Sequence, residues 1–600
     1  MDQRAHERMA RLQERNARRR EKGKPTWDFH EYPSGYGPGA AAEGSPVLAD
    51  PDQPTMVISP SRRREALDED GRPPLEGHEH RRRLAVSTAI FGVATGLSRV
   101  LGLVREMVAA YYFGAAGRIN AFTVAFQVPN LVRALVADAA LSSAFVPVFS
   151  DLLEKGERKR AWRVASSLFW LMLLGLTALS ALFIVAAPWV IGLFGNPGSD
   201  KDLAVGLSRV LFPIVALLGC SGVIVGILNS YDHFTVPAIS PIFWNIAIIV
   251  GLVLGVPQAQ TMSTKLYIYA FSILIATVIQ VFLPLPWLRT LERGEERLRI
   301  VFDWRDPAVK RVFKLMIPVT LGLGLINVNA VIDTFFASRF IDPELAPTAI
   351  QKAFLVYMLP QGMFSVAIAT VLFPTLARLA SRGDMRGFAG AVSRGLRQIA
   401  FLLAPTAVVS AVLCEPIIRI LYQRGHWTPS QTPVVAYALA AFSAGLVFNG
   451  AMLMLNRAFF SLQSNWIPTI VALANLALNA VLDLAFYRLG AWGIPLATAV
   501  VNMFGTAALL ILLRRRIGPV VAGRTAATVA RIVAASAVVA VVAYVLWEPL
   551  DSWLGRTFPA QVVSLGVALA GSIAVYVAAA RLLRIRELDE VVTMLRQRAG

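Results

Sequence analysis

The sequence predicts an all-α polytopic membrane protein of fourteen transmembrane helices: two pseudo-symmetric six-helix lobes followed by two further helices. Three observations carry that expectation. The 600 residues are 56% hydrophobic and only 16% charged, with a mean hydropathy of +0.56, whereas soluble chains carry about 25% charged residues. Apolar runs long enough to cross a ~30 Å hydrocarbon layer, about 20 helical residues each, recur from Leu84 onward. The breaks between them alternate between strongly basic and weakly charged, which locates the formal charge of +19 from 58 Lys+Arg and 39 Asp+Glu.

Residues 1–83 differ from all that follows. They mix Pro, Gly and Ser with 16 Lys/Arg and 15 Asp/Glu, and such a stretch buries too little apolar area to offset its ordering entropy. A disordered cytoplasmic tail is expected there. It has no apolar signal core, so the N-terminus is expected to stay in the cytoplasm. The spans are expected at 84–113, 119–150, 162–192, 204–230, 236–256, 264–288, 312–340, 347–377, 396–418, 431–460, 466–487, 491–513, 527–548 and 560–582. They divide into an N-terminal lobe (84–290), a cytoplasmic linker (291–311), a C-terminal lobe (312–516), two extra helices (517–590) and a cytoplasmic C-terminus (591–600). Pro129, Pro318, Pro360 and Pro405 lie inside spans, where neighbouring helices can satisfy the freed backbone groups.

Loop charge supports this order. With the N-terminus inside, cytoplasmic loops and helix ends hold 29 Lys/Arg and the outside ones 8, as the positive-inside rule requires. A repeat supports it independently. Pro147, Gly156 and Ser166 recur 227 residues later as Pro374, Gly383 and Ser393, and the run Pro188 to Phe194 recurs 228 later as Pro416 to Tyr422. A six-helix repeat makes both halves enter from the same side, a transporter architecture with the substrate between halves that rock.

Five basic residues stay within the spans: Arg99, Arg105, Arg133, Arg209 and Lys352. A buried cation faces a partner or a wet cavity. Arg99 and Arg133 lie too deep to reach water easily, Arg105 is near enough to a helix end to snorkel, and Arg209 has no role assigned. Glu106 and Asp138 are the acids available to neutralise them, which leaves a cationic surplus suited to phosphate or carboxylate recognition. Asn475, Asn479 and Asp483 form an i, i+4, i+8 stripe that, with Asp333 and Thr498, offers hard oxygen ligands for Na⁺ or a proton site; ordinary helix contacts explain the same spacing.

Catalytic motifs are absent: there is no HExxH, Walker A loop or GxSxG. Cys220 and Cys414 lie in apolar runs, and the histidines have no metal-ligand neighbours. A non-enzyme with no cofactor other than a candidate coupling Na⁺, and no nucleic-acid partner, is expected.

From Ser98 to Glu106 (SRVLGLVRE), through Phe113-Gly114, Ala121-Phe122, Phe126, Pro129 to Arg133 and Ala144 to Pro147, the sequence resembles the MurJ (MviN) lipid II flippases. Similarity extends through Ile227 to Asn229, Val236-Pro237, Asn245, Phe335 to Ser338 and Pro360 to Pro374, covering 84 to about 590. The resemblance implies membership of the multidrug/oligosaccharidyl-lipid/polysaccharide exporter superfamily. It implies transport of an undecaprenyl-diphosphate-linked peptidoglycan precursor to the outer leaflet of the cytoplasmic membrane by alternating access, with the last two helices helping to hold the lipid tail. It places Ser98, Arg99, Arg105, Glu106 and Arg133 on the central cavity, and Asp333, Asn479, Asp483 and Thr498 at a sodium site; Asn120, Asp138 and Lys352 are added to the expected substrate-binding residues on their own positions, and cell-wall synthesis or regulatory proteins are the partners expected at the tail. Two positions depart from the family pattern. Asn120 stands where many relatives have an acid, and Leu355 where they have an arginine, with Lys352 one turn away as a substitute charge. A drug/cation antiporter or polysaccharide-unit flippase of the superfamily, or a membrane scaffold, are the competing readings; surplus arginine in the first lobe argues against a cation exporter.

Overall fold

The computed structural model describes residues 76–136, 139–231, 233, 235–292, 296–464, 466–518 and 523–589. Residues 1–75 of the expected tail, the end of the C-terminus and Asp138 lie outside them. Everything from Glu79 onward forms one compact unit.

The described residues of this unit are mainly helical. In the first half come α1 (Glu76–Phe113), α2 (Ile119–Val136), α3 (Ala139–Glu154), α4 (Arg158–Leu193), α5 (Lys201–Leu211), α6 (Pro213–Ser230), α7 (Thr235–Gly255), α8 (Met262–Phe282) and the short α9 (Leu285–Leu291). In the second come α10 (Pro307–Phe336), α11 (Ala346–Pro360), α12 (Val366–Ser381), α13 (Met385–Val412), α14 (Cys414–Tyr422), α15 (Gln431–Ala444), α16 (Leu446–Ser461), α17 (Trp466–Phe486) and α18 (Gly493–Ile517), before the closing pair α19 (Gly523–Leu554) and α20 (Phe558–Leu582). Among the described residues ten helical stretches are long and apolar enough to cross a membrane, or eleven when α15 and α16, bent by 44°, count as one. The remaining expected spans coincide with α1, with α2 plus α3, and with α10, the helices that hold the intramembrane charges Arg99 to Arg133 and Asp333.

Several expected boundaries move. α1 is helical from Glu76 within the described residues, upstream of the expected Leu84, because a nucleated helix propagates at little cost into polar sequence. The run at 396–418 breaks at Leu413, so the repeated segment from Pro416 lies in the separate helix α14. The run at 347–377 is interrupted by a π-helical turn, Gln361–Ser365, directly after Pro360, where the missing N–H forces the hydrogen-bond ladder to skip.

The repeated glycines occupy matching corners. Gly156 ends α3 at φ 76° and Gly383 ends α12 at φ 70°. Glu157 N donates to Leu152 O at 2.9 Å and Asp384 N to Leu379 O at 3.1 Å, the left-handed cap that favours glycine. Pro147 and Pro374 lie inside the preceding helices.

Packing divides into two large cores. One gathers Phe145, Phe149, Trp162, Leu207 and Ile248, and it includes Val309, Val312 and Met316 from the start of α10. The other gathers Tyr357, Phe388, Leu439, Phe459 and Leu509, and it includes Ala110 from the end of α1 and Ala115 just beyond it. The first long helix of each half therefore packs partly on the other half. α19 and α20 attach to α13 through Phe401, Ala404, Ile532 and Tyr576. The outer surface is apolar, as for Val185 and Trp189 of α4, which are 65% and 70% exposed. In hydrocarbon such a surface costs nothing, and tight packing and internal polar bonds hold the helices together.

Candidate functional site

α1 brings Ser98, Arg99, Arg105 and Glu106 onto one helix, and the positions of their partners separate their roles. Arg105 does not snorkel. Its Nη2 donates to Glu106 Oε1 at 2.6 Å and its Nη1 to Asn245 Oδ1 at 3.2 Å on α7, and its guanidinium lies 4.8 Å from the centre of the Trp244 ring. Asn245 in turn donates to the Ser98 carbonyl at 3.4 Å and to Pro241 O at 2.9 Å. Ser98 thus contributes its backbone to the link between α1 and α7.

Lys352 of α11 reaches across from the other half. Its Nζ lies 2.5 Å from Glu106 Oε2 and 3.3 Å from the Glu106 carbonyl, and 5.5 Å from the Tyr422 ring centre. Both side chains are buried. Glu106 consequently balances two cations, one from each half.

Arg99 lies two turns back along α1 and is exposed. Its guanidinium rests against Gly362 in the π-helical turn after Pro360, where a Cβ would collide with Nη1. Arg133, half-buried on α2, donates from Nη2 to Asn130 Oδ1 at 2.9 Å and from Nε to the same atom at 3.2 Å. Neither arginine is held by Glu106.

Asn120 is buried in a contact between the halves and not in a cavity. Its Nδ2 donates to Ala115 O at 3.0 Å, to Gly117 O at 3.1 Å and to Glu344 O, while its Oδ1 accepts from Thr348 N at 2.8 Å. Its amide is fully used, which leaves it no free group for a substrate. Around it, Gly117 N donates to Glu344 O and Gly198 N to Pro343 O, both at 2.7 Å; Thr123 and Thr348 hydroxyls meet at 2.8 Å; and His426 N donates to Tyr111 O at 2.9 Å. These bonds join the C-terminal end of α1, the start of α2 and the α4–α5 loop to the start of α11, the loop before it and the α14–α15 loop, and they close one end of the bundle. Gly198, at φ 62°, permits the approach: a Cβ there would stand 2.8 Å from Gly117 O.

The second predicted cluster also assembles. Asn479 Nδ2 donates to Asp333 Oδ1 and to Asp483 Oδ2, each at 2.9 Å, and Thr498 Oγ1 lies 3.5 Å from Asn479 Oδ1. Asp333, Asn479 and Asp483 are buried, and Asp483 Oδ1 has no hydrogen-bond partner. Two carboxylates sharing one amide require a proton or a cation between them. The carboxylate and hydroxyl oxygens here, with Asp483 Oδ1 orphaned, suit a hard cation or a shared proton. Asn475, in the same sequence stripe, faces elsewhere, its Nδ2 3.5 Å from Met452 Sδ.

Sequence reasoning missed Asn329, whose Nδ2 lies 3.3 Å from Asp333 Oδ2. The signal was present, since Asn329 is one helical turn before Asp333. It also missed Asn245 and Trp244 as the partners of Arg105; a lone amide in an apolar run was the only hint.

The family described as "Lipid II flippase MurJ" matches residues 109–564. The chain belongs to the lipid II flippase MurJ family. It is 32% identical over 494 residues to a probable lipid II flippase MurJ of Rhizobium tropici, covering 81% of this chain and 91% of that protein. It is 30% identical over 527 residues to the corresponding Vibrio cholerae protein, covering 85% and 98%. Among solved structures it is similar to a lipid II flippase MurJ in an inward closed conformation, with a TM-score of 0.69 and 24% identity over 82% of this chain and 99% of that one. An inward-facing multidrug resistance transporter of the MATE family gives a TM-score of 0.55 at 15% identity, over 71% and 94%. This MurJ-family chain is a multi-pass membrane protein whose fold is shared with MATE transporters.

Proposed function

We propose that this chain carries lipid II, an undecaprenyl-diphosphate-linked disaccharide-peptide, from the inner to the outer leaflet of the cytoplasmic membrane for peptidoglycan synthesis. It does so as a non-enzymatic transporter with fourteen spans and both termini in the cytoplasm. The observation that carries the reading is Arg99: an exposed cation on α1, lying at the boundary between the halves against Gly362. Arg99 and Arg133 hold the diphosphate, because a planar guanidinium matches phosphate oxygens by paired hydrogen bonds. Arg105 is already committed to Glu106 and Asn245 and shapes α1 instead of holding substrate in this state.

The bonded end around Asn120, Thr123 and Thr348 is the outer end, closed while the carrier loads from the cytoplasmic side. Rocking of the halves breaks those bonds and exposes the head group to the outside. An inside-negative potential favours outward movement of the anionic substrate by about 2.3 kcal/mol per charge per 100 mV. At Asp333, Asp483, Asn479 and Thr498, a bound Na⁺ supplies the positive charge that lets the two carboxylates stay ionised together.

The test is lipid II exposure on the outer leaflet in cells depleted of this protein. Outer-leaflet lipid II falls on depletion and is restored by the wild-type chain but not by Arg99→Ala. Unchanged exposure after depletion overturns the reading. Deleting residues 1–75 separates it from a scaffold role, since a flippase keeps transport without them.

A further inference from the structure

The segment joining the two halves, 297–306, runs without helix between α9 and α10, turns at Trp304 and Arg305, and is fastened to α4. Arg299 N donates to Ser166 Oγ at 3.1 Å and Asp303 N to Ser167 Oγ at 3.3 Å, while Trp170 Nε1 donates to Arg299 O at 2.9 Å. All three anchors belong to α4, and they fix which way the strap faces. Ile300, Phe302 and Trp304 are 72%, 51% and 59% exposed, Phe302 with its ring 6.2 Å from that of Trp170 on α4. Three large apolar side chains exposed within five residues need a cover.

The surrounding charge says which cover fits. Arg297, Arg299, Arg305, Lys310, Arg311 and Lys314 all lie exposed along the strap and the first turns of α10. The two acids in this stretch are already engaged. Asp303 Oδ1 accepts from the backbone N–H groups of Arg305 and Asp306, and Asp306 caps α10 through Ala308 N at 2.7 Å and faces Arg160 at 3.7 Å. Arg305 and Lys310 stand over the Trp304 ring at 5.2 and 5.9 Å, so the ring is flanked by cations. Phe313 and Ile317 continue an exposed apolar row up α10 toward the spanning region.

We infer that this strap is an interfacial anchor for anionic phospholipid: Ile300, Phe302 and Trp304 enter the head-group layer, and the surrounding cations hold acidic lipids around the junction of the two halves. An apolar strip edged with Lys and Arg lies in the plane of the interface, where aromatic rings are favoured and each cation near an acidic leaflet adds attraction. Because the strap is bonded to α4 and continuous with α10, the anchor fixes the point about which the halves move. The anchor does not depend on which lipid is transported.

The test uses the full chain with Ile300→Cys, labelled with a polarity-sensitive fluorophore; Cys220 and Cys414 are buried and stay unlabelled. In nanodiscs of phosphatidylcholine with phosphatidylglycerol, a lipid nitroxide at head-group depth quenches the label more strongly than in phosphatidylcholine alone. Arg299→Gln lowers that preference about fivefold, the equivalent of ~1 kcal/mol per cation at an acidic surface. Equal quenching in both disc types overturns the anionic preference. A label open to aqueous acrylamide in both overturns the anchor. A label shielded from acrylamide without nitroxide quenching, and uncovered by deleting residues 1–75, shows that the tail is the cover and overturns it as well.

Discussion

Lys352 Nζ lies 2.5 Å from Glu106 Oε2, joining α11 to α1 with both side chains buried. Glu106 also holds Arg105 of its own helix at 2.6 Å, so the two ends of the bridge are unequal. Removing Lys352 leaves the carboxylate one cation; removing the carboxylate leaves two cations facing each other. A buried charge that loses its partner costs about 3–5 kcal/mol. Glu106→Gln is therefore expected to lower the thermal unfolding midpoint of the purified protein more than Lys352→Met does. The opposite order would show that Lys352 has another principal partner.

The same bridge bears on transport. Lys352 is already paired with Glu106 of the other half, so it is expected to act as a latch between the halves rather than as the substitute for an arginine at Leu355. Lys352→Ala should increase labelling of Thr348→Cys by a membrane-impermeant thiol reagent added outside, because the closed end opens more often. If labelling is unchanged and lipid II binding is lost instead, Lys352 is a substrate residue.

Asn120 donates to three carbonyls and accepts from Thr348 N. Asn120→Ala should cost about 1–3 kcal/mol, the penalty for buried polar groups left unpaired. Asn120→Asp should cost more, because an ionised acid turns an acceptor toward Ala115 O, Gly117 O and Glu344 O. Comparing the unfolding midpoints of the two variants decides this, although the acid is what many relatives carry there.

Gly198→Ala places a methyl group against Gly117 O, Ala121 N and Arg118 Cα, all backbone atoms within 3.0 Å, at a positive φ. Backbone strain of this kind costs about 1–3 kcal/mol. The closed end should loosen, read out by the same Thr348→Cys labelling, while the helical circular dichroism stays unchanged.

Sodium should raise the unfolding midpoint of the wild-type chain relative to choline at equal ionic strength, since a ligand that binds only the folded state stabilises it. Asp483→Asn should abolish that difference, because it removes one of the two carboxylates joined through Asn479. A sodium shift that survives in Asp483→Asn places the ion elsewhere.

Much of the fold was legible because membrane insertion is decided locally. Hydropathy over about 20 residues identifies a span whatever its neighbours do, and Lys/Arg counts in short loops orient it. The matching caps at Gly156 and Gly383 were readable for the same reason: a left-handed corner demands glycine in both repeats. The breaks at Leu413 and Gln361–Ser365 were not, since an apolar run looks the same whether or not its helix bends.

The candidate sites divide along the same line. Asn479 and Asp483 meet because they are four residues apart on one helix, a distance that sequence spacing measures. Arg99 and Arg105 are identical side chains six residues apart on α1, and nothing in their own sequence says that one rests on Gly362 while the other is held by Glu106, Asn245 and Trp244. The sequence by itself determined that this chain is a multi-pass membrane protein and which residues place charge within its helices. Only the tertiary structure decided which of those charges are neutralised in the lobe contact and which remain at the boundary, because a buried charge takes its meaning from a partner 246 residues away in the chain and 2.5 Å away in space.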